Sequence, residues 1–172
     1  MANHQLDHGD HQLQAKTLPV CFLLNDFDSP ANIGSIFRIA DAFGIEKIYL
    51  TGSSLTPPNS KLRRMSRATD KSVAYTYCES AMEVITNLKA DDYKIMSLEI
   101  TSSSTDIRQS SFSDSEKICL IVGSESVGVS QELLDCSDET LHIPMLGQNS
   151  SINVATACAI ATFELIKSQL PE

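Results

Sequence analysis

The stretch 19-PVCFLLNDFDSPANIGSIFRIADAFGIEKIYLT-51 decides the fold class. Its opening run, Pro19 to Asn25, is nearly all apolar and short, which predicts a strand buried on both faces. Ser29 and Pro30 then mark a helix start, because the hydroxyl can cap free N–H groups and the proline's fixed φ suits a first turn. Ile33, Ile36, Phe37 and Ala40 fall at helical spacing and make one apolar stripe. The helix should end near Gly44, and Glu46 to Thr51 reads as a second strand. Strand, helix and strand in this order are the unit of a parallel sheet.

The alternation continues along the chain. Ser72 to Cys78, Tyr93 to Ile100, Ile118 to Gly123 and Thr140 to Pro144 read as further strands. Glu79 to Leu88, a short piece near Gln131 to Leu134, and a last segment from about Ser151 to Gln169 read as helices. Thr101 to Lys117 reads as a polar surface loop. The expected fold is α/β, a mostly parallel sheet covered by helices on both faces. Residues 1–17 are polar and expected to form a flexible tail, with residues 18–172 as one domain. The last helix is apolar nearly all round, and Ala155, Ala157, Ala159 and Ala161 leave room for a second backbone. Such a helix suits both a core and a subunit interface.

Composition narrows the function. No apolar run reaches the ~20 residues of a membrane span, and the N-terminus lacks the basic start and apolar segment of a secretory leader. A cytoplasmic protein is expected. Five scattered cysteines without C-x-x-C spacing read as reduced packing residues. His4, His8 and His11 stand near Asp7 and Asp10, but in the polar tail, and no metal site is expected there; His142 should pack in or beside its strand. A net charge of −9 argues against indiscriminate nucleic-acid binding. One stretch runs the other way: KLRRMSRATDK, Lys61 to Lys71, holds five basic residues and one acid. Lys61, Arg63, Arg64 and Arg67 are therefore candidate phosphate contacts, with a solvated helix face as the alternative.

Ligands of open α/β sheets sit beyond the carboxyl ends of the strands, and three loops there carry unusual polar residues. The first, NDFDSPANIG, has Arg38 behind it, off the apolar stripe and four residues after Gly34, hence on the same helix face. That spacing suggests a glycine leaving space beside the guanidinium; by periodicity alone, Arg38 is a surface charge. The second, GSESVG (Gly123 to Gly128), fails the G-x-G-x-x-G, P-loop and G-x-S-x-G patterns. It leaves Glu125 on a turn, free to anchor Arg38 or to accept a ligand hydroxyl. The failed dinucleotide fingerprint also counts against a nucleotide-linked oxidoreductase. The third, IPMLGQNSSIN (Ile143 to Asn153), places Ser151 as the expected helix cap and Asn153 as an amide in need of a partner.

In this order and spacing the three loops resemble the motifs of the SpoU (TrmH-like) RNA 2′-O-ribose methyltransferases of the SPOUT superfamily. The matches are Asn32, Gly34 and Arg38 in PANIGSIFRIADAFG, then LIVGSESVGVS, then IPMLGQNSSINVATACAIATFE. SINVA stands where the family more often has Ser-Leu-Asn-Val-Ser, and SESVG lacks the basic or small residue that often follows the glutamate. The resemblance implies a C-terminal deep trefoil knot, a homodimer through the knot helices, and S-adenosylmethionine held by three loops. By position these are the strand end near Leu98, the turn at Gly123, and Ile143 to Met145 with Ile152. It makes Arg38 the catalytic arginine, surrounded by Asn32, Glu125, Ser151 and Asn153. A free guanidinium has a pKa above ~12, so gripping a phosphate suits Arg38 better than accepting a proton. The expected substrate is structured RNA, tRNA ahead of ribosomal RNA, with an RNA-binding module lacking methyl transfer as the other reading. The chain reads as close to a minimal catalytic domain, which leaves RNA binding to the basic patch and a partner subunit.

Overall fold

A computed structural model describes residues 16–110, 112–113, 115–149 and 151–170. The expectations for residues 1–15, including His4, His8 and His11, lie outside the described residues. Among the described residues, seven strands and five α-helices follow one another: β1 (Leu18–Asn25), α1 (Pro30–Ala42), β2 (Ile45–Thr51), α2 (Ser60–Ser66), β3 (Tyr75–Cys78), α3 (Ala81–Ala90), β4 (Tyr93–Leu98), β5 (Thr105–Asp106), β6 (Lys117–Val122), α4 (Gln131–Cys136), β7 (Glu139–His142) and α5 (Val154–Ile166). They form one sheet in the order β3-β2-β1-β6-β4-β7-β5, and every strand pair is parallel.

Each face of the sheet is covered. Val20, Phe22 and Leu24 of β1 point to one side with Leu120 and Val122 of β6, under Ile33, Ile36 and Phe37 of α1 and Ala155, Cys158 and Leu165 of α5. Cys21 and Leu23 point to the other side with Cys119, Ile121 and Ile95, under Val84, Ile85 and Leu88 of α3 and Leu133 of α4. Continuous apolar strands are thus explained by burial on both sides. All five cysteines are free thiols. Burial pushes the Cys158 thiol up to about 12, and a hydrogen bond that the protonated Cys119 thiol makes to Cys21, together with burial, raises that of Cys119. Both stay protonated and act as packing groups. Among the described residues no helix is long and apolar enough to cross a membrane.

The Ser29 cap is present: its Oγ accepts from Asn32 N at 3.4 Å, and Pro30 opens α1. Elsewhere the boundaries shift for local reasons. Residues 72–74 are not strand, because Thr69–Lys71 forms a 3-10 turn that Ser72 closes. Ser80 caps α3, so that helix starts at Ala81 and not at Glu79. The strand expected to run to Pro144 stops at His142, since a proline cannot donate to the ladder. The loop over 101–117 is not all loop, for Thr105–Asp106 pairs with β7.

Candidate functional site

β4, β6 and β7 end side by side, and a cleft of about 810 Å³ opens beyond their carboxyl ends. This is within the ~300 to 1,000 Å³ typical of small-molecule sites. Its apolar wall includes Leu98, Val122, Ile143, Met145 and Ile152, and its main-chain wall Gly123, Gly128 and Val129. Glu125, Ser151 and Asn153 also line it, as do Glu99 and His142. The five residues expected to hold a cofactor therefore share one cleft.

The close packing of the second loop explains its glycines. A Cβ on Gly123 would lie 2.5 Å from the carbonyl carbon of Gly128, and Gly128 itself has a φ of 71°, which favours glycine. Gly128 N donates to Ser124 O at 2.9 Å and closes the turn, leaving Glu125 exposed. Ser124 is 5% exposed, and among the described residues its Oγ has no hydrogen-bond partner. A buried hydroxyl without a partner is costly. With apolar side chains, open main chain and carboxylates around it, this lining fits a ligand that joins a flat apolar base to a polar, cationic tail.

The third loop ends on a different cap from the expected one. Asn153, not Ser151, caps α5: its Oδ1 accepts from Ala155 N at 3.0 Å and Thr156 N at 3.2 Å. Ser151 lies two residues earlier, exposed on the rim. The Asn153 amide is partnered as expected, because its Nδ2 donates to Asn32 Oδ1 at 3.0 Å. That bond spans 121 residues and ties the mouth of the cleft to α1.

Arg38 sits six residues beyond Asn32 on α1, nearly two turns at ~3.6 residues per turn, exposed, with no ion pair among the described residues. Glu125 does not anchor it. Asn32 and Asn153 are joined to each other, but neither they nor Ser151 bonds the guanidinium, so no polar shell closes around it in this chain alone. Gly34 also has a different use from the one expected. A Cβ there would meet Met65 Cβ at 2.6 Å and Ser66 N at 2.9 Å, so the glycine admits the backbone of α2, not a ligand beside Arg38. α2 is the basic stretch, capped by Asn59 Oδ1, which accepts from Lys61 N and Leu62 N. Lys61, Arg63, Arg64 and Arg67 are all exposed, and none is ion-paired among the described residues. Arg67 and Ala68 both lie in the left-handed region, at φ 52° and 70°. Sequence reasoning missed Glu99, whose only signal was its place at the end of an apolar strand.

The model of the SpoU rRNA methylase family matches residues 19–163, which takes in all three loops and every strand. The chain belongs to that family. Among SpoU relatives, it is 27% identical over 150 residues to the tRNA (guanosine(18)-2′-O)-methyltransferase of Escherichia coli K12, covering 86% of this chain and 62% of that protein. It is 29% identical over 143 residues to the 23S rRNA (guanosine(2553)-2′-O)-methyltransferase of Bacillus subtilis, covering 83% of this chain and 56% of the other. The crystal structure of the SpoU methyltransferase AviRb from Streptomyces viridochromogenes, in complex with the cofactor AdoMet, superimposes with a TM-score of 0.79 at 26% identity, covering 95% of this chain and 64% of that one. This chain thus spans between 56% and 64% of the length of these SpoU relatives.

Proposed function

We propose that this protein is an S-adenosylmethionine-dependent methyltransferase acting on a ribose 2′-hydroxyl of structured RNA, as one domain over residues 18–172. The observation that carries the reading is the cleft itself, where Leu98, Gly123, Ile143, Met145 and Ile152, far apart in sequence, line one cavity beside Arg38-bearing α1. Those five residues, with the unpartnered Ser124 hydroxyl, would hold the cofactor. When bound, S-adenosylmethionine supplies an electrophilic methyl group on a sulfonium. Arg38 would grip the phosphate next to the target ribose and hold its hydroxyl in line, and orientation of this kind can supply ~7 to 11 kcal/mol in favourable cases. The Asn32–Asn153 bridge would set the distance between that grip and the cleft. Glu125, on its exposed turn, and Ser151, on the rim, would contact the RNA or its hydroxyl. Lys61, Arg63, Arg64 and Arg67 would follow the phosphate backbone, which the chain's net charge of −9 would otherwise repel.

Three finer points belong to the same reading. β7 fills a slot between β4 and β5, which the chain joins directly through residues 99–104, and it reaches that slot after laying β6 on the far side of β4. This supports a deep trefoil knot. Ile160 and Phe163 of α5 are 43% and 52% exposed, which supports a homodimer through that helix. The two relatives act on different RNAs; we favour tRNA, in the cytoplasm. The test is titration calorimetry with S-adenosylmethionine, followed by mass-spectrometric mapping of ribose methyls in RNA from cells with and without the protein. Cofactor binding and one missing 2′-O-methyl are expected. Binding of RNA without cofactor would make the protein an RNA-binding module.

A further inference from the structure

Glu99 lies just past the end of β4, and both of its carboxylate oxygens accept main-chain N–H groups. Oε1 takes Ile100 N and Oε2 takes Val129 N, each at 3.0 Å. The second bond spans 30 residues and reaches the far end of the turn that carries Glu125. A Cβ on Gly128 would lie 2.5 Å from Oε2, and one on Gly123 would lie 2.5 Å from the carbonyl carbon of Gly128. Strand-end glycine, closing glycine and carboxylate are therefore stacked in contact, with no side chain between them. No cation pairs with Glu99 among the described residues. Its two bonds both come from backbone donors, and only a group with acceptors at both positions satisfies them.

We propose that Glu99 is a positioning residue: it latches the far end of the Ser124–Gly128 turn to the end of β4 and so presets the main-chain wall of the cleft. The role toward cofactor rests on the methyl-donor reading of the cleft; the latch itself does not. Alanine is the informative replacement, because it removes both acceptors; glutamine, whose amide oxygen can still accept from Val129 N, should keep most of the latch. Glycine 128 supplies a second route, since a methyl group there displaces the same carboxylate oxygen.

Two measurements on the full chain decide the matter. Hydrogen exchange of the unliganded protein reads the latch alone: in E99A the Val129 amide should exchange at least ~10-fold faster while the amides of β6 do not change. Calorimetry and steady-state kinetics read its purpose. E99A should bind S-adenosylmethionine about tenfold more weakly and raise its KM by the same factor, with the KM for RNA unmoved. A general loss of structure would raise both KM values. G128A should weaken binding too, and E99A/G128A should lose no more than E99A alone, since coupled residues are not additive. Unchanged Val129 exchange in E99A overturns the latch. Faster exchange with cofactor affinity within twofold of wild type overturns its role in presetting the cleft. If wild-type protein fails to bind S-adenosylmethionine, the methyl-donor reading falls, and the exchange result still decides the latch.

Discussion

Residues 18–78 and residues 93–166 build their shares of the sheet by different rules. In the first region β1, β2 and β3 lie side by side in the order of the chain. Its helices rest on near neighbours, and α2 beds into α1 at Gly34. In the second region the spatial order is β6, β4, β7, β5, and no strand lies beside the one that follows it in the chain. The orderly region carries Arg38 and the exposed cations of α2. The interleaved region makes the cleft, because only strands shuffled in this way bring residues 98–100, 123–129 and 142–154 together. Under the proposed function the difference is a division of labour: a locally built arm would meet RNA and a globally built cup would hold the methyl donor, the two joined by the bond from Asn153 to Asn32.

That division can be broken by substitution. Arg38→Ala should lower turnover by a hundredfold or more, of the order of the ~2.7 to 4 kcal/mol lost with one transition-state contact, while calorimetric affinity for S-adenosylmethionine stays as in wild type. A matching loss of cofactor affinity would mean that arm and cup are one site. Gly34→Ala should cost about 2 kcal/mol in chemical denaturation, in the range for an overfilled contact, because the backbone of α2 must retreat from the new methyl. RNA affinity should fall with it and cofactor affinity should not. Replacing Arg63, Arg64 and Arg67 together by alanine should weaken RNA binding about tenfold and lower the slope of log K against log salt by about 2 to 3, at ~0.7 to 0.9 per phosphate contact. An unmoved slope in gel-shift titrations would return α2 to plain surface. The smallest effect is expected from Asn153→Ala, about 1 kcal/mol by thermal unfolding for the lost helix cap, with a drop in turnover beyond that seen when Asn153→Ser keeps a capping oxygen.

The orderly region was the legible one. Pro19 to Asn25 announced β1, Ser29 and Pro30 announced α1, and the apolar stripe named the residues that α1 buries. Those are signals within a few residues of their effect. What escaped were pairings between distant segments. β5 is two residues long, inside a run of serines and threonines, and only its pairing to Leu141 and His142 makes it a strand. Ser151 and Asn153 are both good caps by type, and which one serves depends on where the chain leaves the cleft. The second use of Asn153 depends on an asparagine 121 positions away. Gly34 was visible as a glycine, but the helix it admits could not be seen in its own neighbourhood. The cleft residues themselves were legible because the three loops carry a family pattern; Glu99, outside that pattern, was not.

The slot filled by β7 also constrains how the protein comes into being. β1, β2 and β3 of the arm are made one after another, so their mutual pairing needs nothing synthesised later. The cup cannot close so early: β7 is synthesised after the strands on either side of it, and Met145, Ile152 and Asn153, which also line the cleft, come later still. Late, long-range pairing of this sort is slow relative to local folding. On the proposed reading, the strands of the RNA arm would therefore pair with one another in a newborn copy before the donor cup is complete.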